Sequence, residues 1–91
     1  MIKQTDYMLE ALEQAKLAQR NGDLPFGAVI VCNGEIVGYG KCEDGTIGDV
    51  TSHAEINALR MACKNLKRNK LKDCVVYSTN EPCPMCAAAL F

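Results

Sequence analysis

The sequence has little that would send it to a membrane, to a polyanion or out of the cell. Ten Lys and Arg face eleven Asp and Glu, a formal net charge of −1, which leaves no electrostatic footprint for nucleic acid or lipid headgroups. No apolar run approaches the ~20 residues that cross a bilayer. The opening Met1-Ile2-Lys3-Gln4-Thr5-Asp6 has no apolar core of a secretory leader. Repeats, low-complexity tracts and linker-like stretches are missing as well. Ninety-one residues allow one small domain with a modest core. Histidine occurs once, so a metal centre here would have a single imidazole.

What is present argues for a folded cytoplasmic protein. Apolar residues make up 48% of the chain, enough for a core. One local cluster of cations, Lys64, Lys67, Arg68, Lys70 and Lys72, reads as the solvated end of a helix rather than an RNA patch, because cations suit a helix C-terminus. Six cysteines would permit a disulfide framework. Without a leader the thiols are expected to stay reduced in the cytoplasm, where a Cys-x-x-Cys pair signals metal or redox chemistry.

Periodicity predicts the order α-β-β-α-β-α. Helical spacing of Met8, Leu12, Ala15 and Ala18, with Ala11 beside them, predicts a helix over 5–20 stopped by Asn21-Gly22. Pro25 opens a strand over 26–31. Asn33-Gly34 marks a hairpin turn into "EIVGYG", and 41–50 reads as a loop. A second helix is expected over 52–65 with Ile56, Leu59, Ala62 and Cys63 on its inner face, followed by a strand in "CVVYST". A last helix begins at Cys83-Pro84, proline suiting the first helical position. A hairpin followed by a strand–helix–strand crossover predicts an α/β fold with a mixed sheet and helices packed on it.

The chemistry concentrates between Ser52 and Cys86. Ser52-His53-Ala54-Glu55 fits a capping box, with serine as cap and glutamate reaching back from the third helical position. Cys83-Pro84-Met85-Cys86 alone fits a thioredoxin-like redox pair. Together they offer more. Zinc catalysis uses three nitrogen or sulfur ligands and keeps a fourth position for water. Cys83 and Cys86, three apart at a helix start, can bite one ion, and His53 can supply the third ligand across the crossover. Glu55 would stand beside the metal without ligating it, positioned to move protons. A structural zinc would recruit Cys63 or Cys74 as a fourth ligand. The combination favours an open catalytic metal.

His53-Ala54-Glu55 followed by Pro82-Cys83-Pro84-Met85-Cys86 is the signature of zinc nucleobase deaminases. With "LPFGAVIV", "HAEINALRMA" and "YSTNEPCPMCAAAL", nearly the whole chain resembles the cytidine deaminase-like superfamily, in its guanine, cytosine and tRNA adenosine deaminase branch. The resemblance implies a three-layer cytidine deaminase-like fold and one Zn2+ per chain on His53, Cys83 and Cys86, with Glu55 as proton shuttle. It further implies substrate contacts from Phe26, by stacking, and from the Ala54 backbone N–H. At the position where the family usually carries Gly-x-Asn, this chain has Gly40-Lys41-Cys42, which puts a thiol where an amide contacts the substrate.

The expected substrate is a small nucleobase or nucleoside, guanine or cytosine type favoured, in a homodimer. A tRNA adenosine deaminase is the alternative, as is a zinc-binding fragment without turnover. Relatives continue into further strands and helices, so residues 1–91 are expected to be the N-terminal part of a deaminase domain with the complete metal motif. Otherwise the third strand is an edge that needs a partner.

Overall fold

A computed structural model describes residues 4–43, 45, 48, 52–68, 71 and 73–79. Helix α1 (Gln4–Arg20) leads to strand β1 (Gly27–Cys32), strand β2 (Glu35–Lys41), helix α2 (Ala54–Leu66) and strand β3 (Cys74–Ser78). The helix expected from Cys83 lies outside the described residues. The β1–β2 turn adopts φ 52° at Asn33 and φ 80° at Gly34, the left-handed pair that a tight hairpin requires. The Asn21-Gly22 stop also forms, with Gly22 N donating to Gln19 O at 3.1 Å.

The strand order is β2-β1-β3, and both pairings are antiparallel. A mixed pairing is therefore not found among the described residues. The crossover from β2 passes over β1 before β3 is laid down, so β2 and β3 run parallel to each other without touching. β1 is buried along its whole length, as its unbroken apolar run requires of a central strand covered on both faces.

The two faces are divided by the pleat. Ala28 and Ile30 pack with Ala54, Ala58 and Ala62 of α2. Val29 and Val31 pack with Tyr7 of α1. The helices thus cover opposite faces, which makes three layers.

The inner faces agree with the expected ones in part: Ala11, Ala15 and Ala18 of α1 and Ala62 of α2 are buried as expected. α1 buries Tyr7, Ala11, Ala15 and Ala18, and Leu12 is 44% exposed. α2 turns its alanine stripe inward, leaving Ile56, Leu59 and Cys63 half-buried. For α2 the cause lies in β2. Gly38 and Gly40 leave bare backbone beneath α2, and a β-carbon at Gly40 would collide with the Ala54 carbonyl oxygen and lie 2.5 Å from the Ala58 nitrogen. Only small residues fit so close an approach, so the alanines take the contact.

Candidate active site

The start of α2 is set down against the ends of β2 and β3 by this alanine–glycine contact. The helix begins at Ala54, and His53 is its N-cap, in extended backbone without a side-chain cap bond. The alternative reading of Ser52–Glu55 as a capping box is not borne out. Ser52 lies one residue too early, because its hydroxyl is engaged by Asn57, whose Nδ2 donates to Ser52 Oγ at 3.0 Å and to Lys41 O at 2.9 Å. Asn57 thereby ties both ends of the 42–51 connection to the helix. Glu43 N donates to Ser52 O at 2.8 Å and closes the same end.

Glu55 is the one acidic side chain among the described buried residues, at 6% exposure. Its Oε1 accepts a hydrogen bond from Ser78 Oγ at 3.2 Å, at the last residue of β3. A buried carboxylate is costly unless hydrogen-bonded, and this one spends an oxygen on a hydroxyl from the neighbouring element instead of on its own helix end. The arrangement belongs to a group held in place from two sides.

The predicted substrate contacts gather at the same end of the sheet. Cys42 is 2% exposed, and its N–H donates to Phe26 O at 3.1 Å. Phe26 is partly buried against the cluster that contains Ala54. Ala54, 1% exposed, is the first residue of the helix, so its N–H is among those with no acceptor inside the helix. The end is finished by Thr79, whose N–H donates to Gly27 O while its Oγ1 accepts from Gly27 N, each at 3.0 Å. Phe26, Cys42, His53, Ala54 and Glu55 thus share one sheet end. Cys83 and Cys86 lie outside the described residues.

The opposite end of the sheet holds a second cluster that the sequence reading did not find. Sulfur atoms of Cys32 and Cys74 and a carboxylate oxygen of Asp73 lie within 4.8 Å of one another. Arg68 donates from Nη1 and Nη2 to the two Asp73 oxygens at 2.9 Å each. These bonds, then one from the Cys32 thiol, hold the Asp73 carboxyl well below the usual carboxylate range. Cys74 is therefore at the wrong end to serve as a fourth ligand beside His53.

The whole chain, residues 1–91, matches the family model for the cytidine and deoxycytidylate deaminase zinc-binding region. The chain belongs to this family. It is 49% identical over 67 residues to a guanine deaminase of Bacillus subtilis, covering 74% of this chain and 43% of that protein. It is 40% identical over 90 residues to a tRNA-specific adenosine deaminase of Agrobacterium fabrum, covering 99% of this chain and 59% of that one. The crystal structure of Bacillus subtilis guanine deaminase superposes with a TM-score of 0.92 at 40% identity, over 98% of this chain and 57% of that one. The chain thus spans about half the length of these relatives, and it carries the cytidine deaminase-like fold.

The zinc that this deaminase family implies fits the donor set. The one imidazole is half-buried at a helix N-terminus and is not spent on a cap bond. The adjacent carboxylate is buried two residues on and oriented by Ser78. The other two donors, by sequence, are a Cys-x-x-Cys pair. Imidazole and thiolate are the ligand types of catalytic zinc.

Proposed function

We propose that the chain is the metal-binding part of a zinc-dependent hydrolytic deaminase that converts an amino-substituted nucleobase or nucleoside to its oxo form and releases ammonia. His53, Cys83 and Cys86 would hold one zinc per chain. When bound there, zinc supplies Lewis-acid activation of water toward the amidine carbon. Glu55 accepts the proton of the attacking water and delivers it to the departing amino group. Ser78 orients Glu55 for this transfer. Phe26 offers an aromatic face to the base, the Ala54 N–H donates to the ring atom beside the reacting carbon, and Cys42 lines the far side.

The observation that carries this reading is the buried Glu55, hydrogen-bonded from β3 and two residues from an imidazole at a helix start. A residue that only capped a helix would face its own backbone.

A free base of guanine or cytosine type is favoured over tRNA. Of the cations Lys64, Lys67, Arg68, Lys70 and Lys72 that could meet RNA, Lys64 and Lys67 stand in the last turn and at the C-cap of α2, and Lys70 and Lys72 lie outside the described residues. The site is at the other end of that helix, about 20 Å away. The tRNA reading draws on the Agrobacterium relative and requires a surface outside the described residues. Association into a homodimer belongs to the same proposal, because Leu9, Leu12 and Leu17 leave apolar surface exposed on α1. No helix of the described residues is long and apolar enough to cross a membrane.

The test is ammonia release from a panel of free bases, nucleosides and a tRNA anticodon stem-loop, with zinc measured by elemental analysis on the same preparation. One zinc per chain is expected, lost in His53→Ala. Turnover of the stem-loop alone would replace the free-base reading. Zinc without turnover of any substrate would reduce the proposal to a metal-binding unit.

A further inference from the structure

The cluster at the far end of the sheet contains two thiols on neighbouring strands. Cys32 and Cys74 are direct register partners in the β1–β3 pair, and both are free thiols. Their place in the ladder follows from Thr79 N donating to Gly27 O. That bond makes Gly27 and Thr79 a hydrogen-bonded pair, so 29 with 77 and 31 with 75 are hydrogen-bonded too. Cys32 with Cys74 falls on the alternate, non-hydrogen-bonded kind, where opposed Cα atoms approach to about 4.5 Å. That separation lies inside the range a disulfide spans, about 4.4–6.8 Å. The two side chains project to the α2 face, where Cys74 packs against the Ile30 cluster.

A metal ion is a weaker claimant for this cluster. Both Asp73 oxygens are already bound by Arg68, whose Nη2 also lies 3.5 Å from Cys32 Sγ. A cation would have to expel a guanidinium from the only carboxylate among these three donors. Closing the thiol pair gives up only the weak sulfur contacts to Asp73, at 3.4 Å from Cys32 and 3.8 Å from Cys74, and leaves the Arg68–Asp73 pair intact.

We propose that Cys32 and Cys74 form a cross-strand dithiol that a low-molecular-weight disulfide such as oxidised glutathione closes to a Cys32–Cys74 bond. The half-buried Cys74 sulfur, as thiolate, attacks the reagent's S–S bond, forming a mixed disulfide and releasing one thiol. The Cys32 sulfur then attacks the Cys74 sulfur, breaks the mixed bond and releases the second thiol. The two protein thiols are oxidised and one disulfide is reduced, and both protein protons leave on the released thiols. Burial, and after it the Cys32 thiol, push Cys74 up to about 11, so exchange is slow at neutral pH. The new bond would clip β1 to β3 about 13 Å from Ser78, four residues along the strand. It leaves the His53–Glu55 end untouched.

The chain, loaded with zinc to protect the Cys-x-x-Cys pair, is equilibrated in glutathione buffers of rising oxidised fraction and quenched with an alkylating reagent. Digestion with trypsin and chymotrypsin separates Cys32, Cys42, Cys63 and Cys74 onto different peptides, each apart from Cys83 and Cys86. The expected result is a linked peptide joining Cys32 to Cys74 and a melting temperature raised on the order of 10 °C, both absent in Cys32→Ser and in Cys74→Ser. Zinc content should not change. Cys32 and Cys74 alkylated at every glutathione ratio would overturn the proposal. So would protection of both thiols by zinc without a linked peptide, which would make the cluster a metal site.

Discussion

Replacing Gly40 by alanine tests the contact on which the position of the site depends. The added methyl would overlap the Ala54 carbonyl oxygen and lie 2.5 Å from the Ala58 nitrogen and 3.0 Å from the Ala54 carbonyl carbon. Ordinary contacts between carbon and such atoms need about 3.5–4.0 Å. The atoms struck are backbone, so no rotamer change relieves them, and α2 must lift by roughly 1 Å or more. Overpacking of a tight interface costs about 1–3 kcal/mol, and the lack of a movable side chain puts this site at the upper end. Lifting the helix also stretches the bond between Ser78 and Glu55, a side-chain hydrogen bond that contributes about 1 kcal/mol. A total near 4 kcal/mol is a large part of the ~5–15 kcal/mol that holds a small domain together. Urea unfolding measures it as a drop in midpoint of about 2 M, taking a slope of about 2 kcal/mol per M. Gly34→Ala is the control. Its β-carbon meets nothing within 4 Å, but its φ of +80° costs roughly 1–2 kcal/mol in backbone strain. If Gly40→Ala lowers stability no more than Gly34→Ala does, α2 does not sit on bare strand backbone and this account of the fold is wrong.

Glu55→Gln should keep zinc bound and abolish deamination, since an amide cannot relay a proton; unfolding should shift by no more than ~1–2 kcal/mol, and surviving turnover would return Glu55 to a structural role. Cys42→Asn should raise the rate on a free base by restoring an amide next to Phe26; a rate equal to that of the unchanged chain would remove residue 42 from the pocket. The Asp73 carboxyl is depressed when folded, chiefly by Arg68 and then by Cys32. Its contribution is therefore complete above the unfolded carboxylate value of about 3.9 and is lost as pH falls below it toward the folded value. Stability curves of the chain and of Asp73→Asn should thus run parallel from pH 7 to 5 and converge below pH 4. A gap that widens with acid would contradict the assigned sign.

Local signals were legible in the sequence. Asn33-Gly34 marked the hairpin because its left-handed backbone is written into those two residues, and Asn21-Gly22 marked the end of α1 for a similar reason. His53 and Glu55 stood out only in combination with the Cys-x-x-Cys pair, since Ser52–Glu55 alone also fits a capping box; the structure brings the two to one sheet end with Glu55 buried. The inner faces of the helices were legible only in part, at Ala11, Ala15, Ala18 and Ala62. Alanine carries little hydrophobic signal of its own, and Ala54, Ala58 and Ala62 turn inward only because Gly38 and Gly40, on another element, accept them. Ser78 and Asn57 were invisible for a related reason. Each is an ordinary polar residue until the fold brings it to Glu55 or Lys41. The antiparallel order was hidden as well, since nothing in β3 says that it lies beside β1 rather than β2.

That order has a kinetic consequence. β1 and β2 are joined by a two-residue turn, and hairpins of this kind close in about 1–10 μs. β3 must find partners 42 to 50 positions earlier in the chain, and closing so long a loop costs chain entropy before any contact repays it. The hairpin should therefore be a template present early, with α2 docking on its glycine track and β3 arriving last. Since β3 brings Ser78 to Glu55, the carboxylate acquires its orientation only at the final step. Pulse-labelled hydrogen exchange should show the amides shared by β1 and β2 protected before those shared by β1 and β3. Simultaneous protection of both sets would mean that the sheet, and with it the candidate site, assembles in a single event.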